Sequence, residues 1–249
     1  DYQGDRRGHW RSRGAEVTVP LNRQMPQVTQ HGRTQLVRNH LEALHTSSFL
    51  TAHFRRTNQP MAVKVTPEGV IKALSEVGVK CVLMGTHALI TYRDQPRATQ
   101  DVDILVRKQD LGKTIRALRK AYPKLLVKDT PVVTRFLEPS NSKPVIDVMK
   151  PTQAVYQLVF RHTIAIGETH RIPDLEMALA SKFAAMVSPN RSPDKKMIDG
   201  GDFINVVRHN RAEIDIAKLK RLADKVYPDG AAEIERMIQD IDAGRTLKL

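Results

Sequence analysis

Asp101 and Asp103 stand one residue apart in the largely apolar run Asp101-Val102-Asp103-Ile104-Leu105-Val106. On a strand, residues i and i+2 point to one side, so both carboxylates would face one way and Val102, Ile104 and Val106 the other. Two acids held that close repel each other and lose solvation, and a divalent cation relieves both penalties. Hard Mg²⁺ suits such oxygen donors, with substrate phosphates completing its shell. Two solvated acids at a strand end would show the same spacing. Upstream, Gly85-Thr86 follows an apolar run and precedes a short helical pattern. Backbone N–H groups and a hydroxyl at such a turn can hold phosphate, although many such glycines only permit the turn. Arg97-Ala98-Thr99 lies just ahead of the acids, where a guanidinium beside a metal site would suit a polyphosphate.

The elements that must position these groups are legible from residue 61 onward. Thr66-Pro67-Glu68 is a helix start, with Thr as N-cap and Pro at the first helical position, and Gly78 closes the helix. Strands are expected over Val79–Met84, Asp101–Val106, Val132–Leu137 and Val145–Met149, with a hairpin over 163–172. Short helices are expected over His87–Tyr92 and Asp110–Ala121. From Pro173 the pattern turns helical: Asp174–Val187, about Asp199–His209, Ile214–Tyr227 and Ala231–Ile241. The expectation is an α/β (α+β) half over 61–172, a mixed sheet with flanking helices, followed by a helical region over 173–249.

Residues 1–60 differ from the rest: they hold nine Arg and no Lys, five of the nine His, and the one Trp. Only Leu36–Phe54 hints at a helix. Three readings stand: upstream or fused sequence ahead of Met61, an arginine-rich disordered tail for nucleic acid, or a targeting segment, which the scattered acids argue against.

The 249 residues are 41% hydrophobic and 27% charged, and no apolar run approaches the roughly 20 residues that span a bilayer. One cysteine, Cys81, excludes an internal disulfide and a thiolate zinc cluster, and fits a reducing cytoplasm. The net charge of +13 favours polyanionic partners. Lys113, Arg116 and Lys120 share one helical face, and Lys218, Arg221 and Lys225 another. Such stripes can follow an RNA backbone or simply be solvated.

Strand, Gly-Thr, helix, then Pro96-Arg97-Ala98-Thr99-Gln100-Asp101-Val102-Asp103-Ile104-Leu105-Val106 resembles the nucleotidyltransferase superfamily with a polymerase-β-like core, and within it the AbiEii-type branch of bacterial toxins. The resemblance covers about residues 66–209. It departs from the family at Thr86, where Gly or Ser is usual, and in the slightly long spacing from Thr86 to Asp101. The family implies a third carboxylate on a neighbouring strand, matched by Asp147 in Val145-Ile146-Asp147-Val148-Met149, which could alternatively be a structural ion pair. It also implies a helical Lys, matched by Lys182, and a late acidic element, matched by Asp199 and Asp202, though an N-cap role for Asp199 would look the same. The implied activity is transfer of a nucleoside monophosphate from an NTP to an acceptor hydroxyl. Asp101, Asp103 and Asp147 would hold two Mg²⁺ ions, and Gly85, Thr86, Arg97, Thr99, Lys182, Asp199 and Asp202 would surround the nucleotide. The implied acceptor is RNA, tRNA-like, or protein, with a cognate antitoxin as a further partner. A small-molecule nucleotidyltransferase of the aminoglycoside kind and a non-catalytic binding protein are the competing readings.

Overall fold

The computed structural model describes residues 30–58 and 63–247. The chain forms a mixed seven-stranded sheet in the order β3-β4-β5-β2-β1-β7-β6, with helices on both faces and a helical C-terminal region. This is the expected α/β architecture.

Helix α1 (Gln30–Asn58) precedes α2 (Pro67–Ser75), whose N-cap Thr66 accepts a hydrogen bond from Gly69 N at 3.1 Å, as its sequence predicts. Strand β1 (Cys81–Leu83) leads through Gly85 into α3 (Gly85–Leu89), and a 3₁₀ turn over Ile90–Tyr92 ends it. Strand β2 (Val102–Leu105) pairs antiparallel to β1, and α4 (Leu111–Ala121) follows. Strands β3 (Leu126–Asp129), β4 (Val133–Leu137) and β5 (Pro144–Met149) form an antiparallel run that joins β2 through a parallel β2–β5 pairing. After α5 (Ala154–Val159), the expected hairpin appears as β6 (Thr163–Ile166) and β7 (His170–Pro173), with β7 parallel to β1. The helical half comprises α6 (Leu175–Val187), α7 (Pro193–His209), α8 (Ile216–Ala223) and α9 (Gly230–Asp242).

The two faces of the sheet bury different clusters. Val102, Ile104 and Val106 pack with Leu74, Leu118, Phe136, Ile146 and Val148, under α2 and α4. Leu105 and Val82 pack instead with Phe183, Phe203 and Met177, under the C-terminal helices. Asp101 and Asp103 share parity with Leu105, so they open onto the side that α6 and α7 cover.

Two expectations are corrected. Helix α7 begins at Pro193 rather than near Asp199, with Ser192 at the N-cap position, so Asp199 is interior to the helix and is not an N-cap. The second basic stripe is broken: Lys218 is committed to Asp174 at 2.9 Å and Glu176 at 2.8 Å, and Lys225 lies beyond α8. Strand β3 and helix α5 were not anticipated, being short, and β3 is largely exposed at the sheet edge.

Helix α1 lies upstream of Met61, where ordinary domain sequence was expected to begin. It contributes buried Leu44 to the core and packs polar groups inward: His40, Ser47 and Thr51 are all buried. Ser47 Oγ donates to Arg97 O at 2.8 Å, and Thr51 Oγ1 accepts from Thr99 N at 3.1 Å. The readings of residues 1–29 lie outside the described residues.

His40 meets His170 of β7, with their Nε2 atoms 3.4 Å apart and both rings buried. Burial, helped by the charge of His170, drops the His40 pKa to about 3, and burial drops His170 to about 4. Both rings are therefore neutral when folded, whereas the unfolded chain takes up protons below about 6.5. The unfolded state binds more protons in that window, so stability is lost as pH falls from about 6.5 toward 4. Each ring contributes a slope approaching about 1.4 kcal/mol per pH unit. Urea midpoints measured across this range should fall with acid, and a His40→Gln/His170→Gln variant should flatten the profile.

Candidate active site

Strands β2 and β5 place the acids. Asp103 and Asp147 are register partners across the parallel β2–β5 pairing, so their side chains leave the same face side by side. Asp101 precedes β2 by one residue. One carboxylate oxygen from each of Asp101, Asp103 and Asp147 lies within 4.8 Å of the other two. Thr99 Oγ1 donates to Asp101 Oδ1 at 3.1 Å, which fixes one edge of the group.

Gly85 makes room for this cluster. Met84 N donates to Asp103 O at 2.8 Å, bringing the β1–α3 turn against β2. A Cβ on Gly85 would lie 2.0 Å from Asp103 Oδ2 and 2.9 Å from its Cγ, and the residue has φ +61°. A side chain is thus excluded both by space and by the left-handed backbone. Gly85→Ala should push the Asp103 carboxylate out of line and destabilise the fold by about 1–3 kcal/mol. Calorimetric titration with Mg²⁺ should show weakened or lost binding.

The electrostatics of the triad are unfavourable as they stand. Burial pushes the Asp103 carboxyl well above the ordinary range, with the charges of Asp101 and Asp147 adding to the shift and Lys182 and Arg191 opposing it. Burial lifts Asp147 to about 6 although Arg135 pulls the other way. Asp147 Oδ2 accepts one 3.3 Å hydrogen bond from Arg135 Nε, while its Oδ1 is buried without a partner among the described residues. The expected alternative for Asp147, a structural ion pair, accounts for one oxygen only. A hard divalent cation fits this set: three oxygen donors, an orphaned buried lone pair, and a cradle kept clear by glycine.

Opposite the triad, α6 and α7 build a second cluster. Lys182 Nζ donates to Asp199 Oδ1 at 2.7 Å and to Asp202 Oδ2 at 2.8 Å. Asp202 also accepts from Arg97, Nε at 3.1 Å and an NH2 at 2.9 Å, and from Arg93. Asp199 accepts from Arg191 Nε at 2.8 Å. Burial alone would raise the Asp202 pKa, but hydrogen bonds and charge from Arg97 and Lys182 outweigh it and hold it at about 2. Lys182 is 8% exposed, so it reaches into the cleft and does not snorkel to water. Two of its three N–H donors go to the acids. Spacing i, i+3 puts Asp199 and Asp202 on one face of α7, turned toward α6.

The two clusters line one cavity of about 520 Å³, together with Gly85, Thr86, Arg97, Thr99, Tyr156 and Lys195. The structure therefore brings together all the residues singled out from the sequence except Asp202, which acts from behind Lys182 and Arg97. Arg93, Arg135, Tyr156 and Arg191 were missed. Arg135 carries a weaker form of the signal at Asp147, a charge within a strand run, between Thr134 and Phe136. Arg191 sits in a loop with no periodicity, and Tyr156 in a helix too short to read.

No protein-family model matches the chain, and no curated protein sequence matches it. Among solved structures, it is similar to JHP933 from Helicobacter pylori at 16% identity, covering 71% of this chain and 89% of that one, with a TM-score of 0.44. It is similar to an antigenic nucleotidyltransferase-like protein from Paracoccidioides brasiliensis at 15% identity, covering 80% and 92%, TM-score 0.40. A third likeness is to the antibiotic-resistance factor ANT(2'')-Ia at 13% identity, covering 71% and 93%, TM-score 0.43.

Proposed function

We propose that this chain is a Mg²⁺-dependent nucleotidyltransferase that moves a nucleoside monophosphate from an NTP to an acceptor hydroxyl. The observation that carries the reading is the convergence of Asp101, Asp103 and Asp147 from two register-matched strands onto one point beside a glycine turn. The motif from Pro96 to Val106, with its AbiEii-type resemblance, supports RNA as the acceptor and a toxin paired with an antitoxin as the biological setting.

Asp101 and Asp103 would hold both metal ions, and Asp147 the ion on the acceptor side. When bound, Mg²⁺ supplies Lewis-acid polarisation of the phosphoryl group and makes the attacking hydroxyl more acidic. Asp147, on that side, would also accept the hydroxyl proton. Lys182, fixed in direction by Asp199 and Asp202, would stabilise charge that grows on the leaving pyrophosphate, with Arg97 and Arg191 beside it. Gly85 and Thr86 offer backbone N–H groups and a hydroxyl to phosphate oxygens.

The test incubates purified full-length protein with each α-labelled NTP and Mg²⁺, offering total RNA in one arm and an aminoglycoside in the other. Label should move to RNA and stop on chelation. Transfer to neither acceptor, together with no Mg²⁺-dependent NTP binding by calorimetry, would overturn the proposal.

A further inference from the structure

The cations in and behind the cavity fall into two sets. Arg93, Arg97, Lys182 and Arg191 are tied to Asp199 and Asp202. The less committed charge lies on the other side, around Asp147. Arg135 is bound by its Nε alone at 3.3 Å, and its side chain is 43% exposed. Lys195 lines the same mouth, is exposed, and acts electrostatically on Asp147. Neither Lys195 nor Lys128 forms an ion pair among the described residues.

The sheet registers connect these groups. Asp103 pairs with Asp147, Asp147 with Arg135, and Arg135 with Lys128, so one cross-strand row runs β2-β5-β4-β3 along a single face. It starts at the triad and ends at the exposed edge strand, about 10 Å beyond Asp147 at ordinary strand spacing. The C-terminal helices cover this face at β2, whereas Lys128 is exposed and Leu126, two residues before it, is 51% exposed. Asp194, the acid at the mouth, accepts a hydrogen bond from Ser192.

We propose that this open row is the acceptor track, and that the acceptor is a single-stranded phosphodiester chain. Arg135 grips the phosphate nearest the reacting hydroxyl and Lys128 the next one outward. The assignment of Asp147 to the acceptor side rests on the nucleotidyltransferase reading, and the track follows from it. A polycationic acceptor would meet Lys195 and Lys128 with like charge, and Arg135 is already paired with Asp147, although Asp194 stands beside Lys195.

The test uses the full chain, so that the arginine-rich N-terminal residues contribute equally to every variant. Fluorescence anisotropy would follow a labelled mixed-sequence RNA 20-mer across a salt series, without NTP. Each phosphate contact on a single strand contributes about −0.7 to the slope of log K against log salt, so Arg135→Gln/Lys128→Gln should weaken binding and make the slope shallower by about 1.4. Lys113→Gln/Lys120→Gln, on α4 against the opposite face, should leave the slope unchanged. Circular dichroism melts would confirm that both double variants fold. An unaltered slope in the row variant, or an equal change in the α4 variant, would overturn the track, and so would transfer of label to an aminoglycoside in preference to RNA. If the slope changes as expected but no label transfer is ever seen, the row stands as a binding site for single-stranded RNA only, and both the acceptor role and the catalytic reading fail.

Discussion

Asp103→Asn should lower nucleotidyl transfer by at least about a thousandfold while raising the melting temperature of the metal-free protein. The first effect follows from losing a metal ligand, which removes several kcal/mol of charge stabilisation at the reacting phosphoryl group, and each 1.36 kcal/mol is tenfold in rate. The second follows from burial. Asp103 is desolvated and flanked by two further carboxylates, so its pKa is raised on folding. A raised carboxyl pKa contributes stability only below the unfolded value, and that contribution is lost as pH rises toward the folded value. At pH 7 without metal the residue is a net cost, and the neutral amide removes it. A gain of 1 kcal/mol corresponds to about 2–4 °C at this chain length. Mg²⁺ should raise the melting temperature of the parent protein and leave the variant where it was. Scanning calorimetry in EDTA and in Mg²⁺, beside label transfer, reads both effects. A variant that turns over normally would refute the metal assignment outright.

Asp202→Ala should produce the largest loss of stability of any single change at the site, about 3–5 kcal/mol. Asp202 is 3% exposed and is the shared acceptor of Arg93, Arg97 and Lys182. Removing it leaves three cations facing one another, with Asp199 the remaining buried acid of the cluster. Its carboxyl is held at about 2, so its contribution is present above about 4 and is lost as pH falls through 2. The parent and variant should therefore differ at neutral pH and converge in strong acid. Activity should fall as well, because Lys182 and Arg97 lose the group that aims them. Urea denaturation at pH 7, followed by NTP titration of the folded fraction, separates the two losses.

Much of the triad could be read from local rules, and little of the second cluster. Asp101 and Asp103 are legible because strand alternation is a two-residue rule, and Val102, Ile104 and Val106 confirm it by packing on the opposite side. That Asp147 should join them was implied only by the motif resemblance. The β2–β5 register that puts it opposite Asp103 depends on contacts more than forty residues apart, which no local pattern encodes. Lys182 sat at the edge of an apolar stripe, and its inward direction is decided by Asp199 and Asp202 on another helix. Helix α1 was legible only as a hint over Leu36–Phe54. The face it turns inward carries His40, Ser47 and Thr51, so it lacks the apolar rhythm by which buried helices are recognised.

That polar face of α1 has a consequence for how the pocket is assembled. Ser47 and Thr51 reach the backbone of Arg97 and Thr99, the stretch that carries one guanidinium and one hydroxyl into the cavity. The wall of the cleft is thus buttressed from an element outside the strands that bear the acids. Under the proposed function, a protein shortened to begin at Met61 should keep its three aspartates and lose the prop behind that wall, so Mg²⁺ binding should outlast NTP binding.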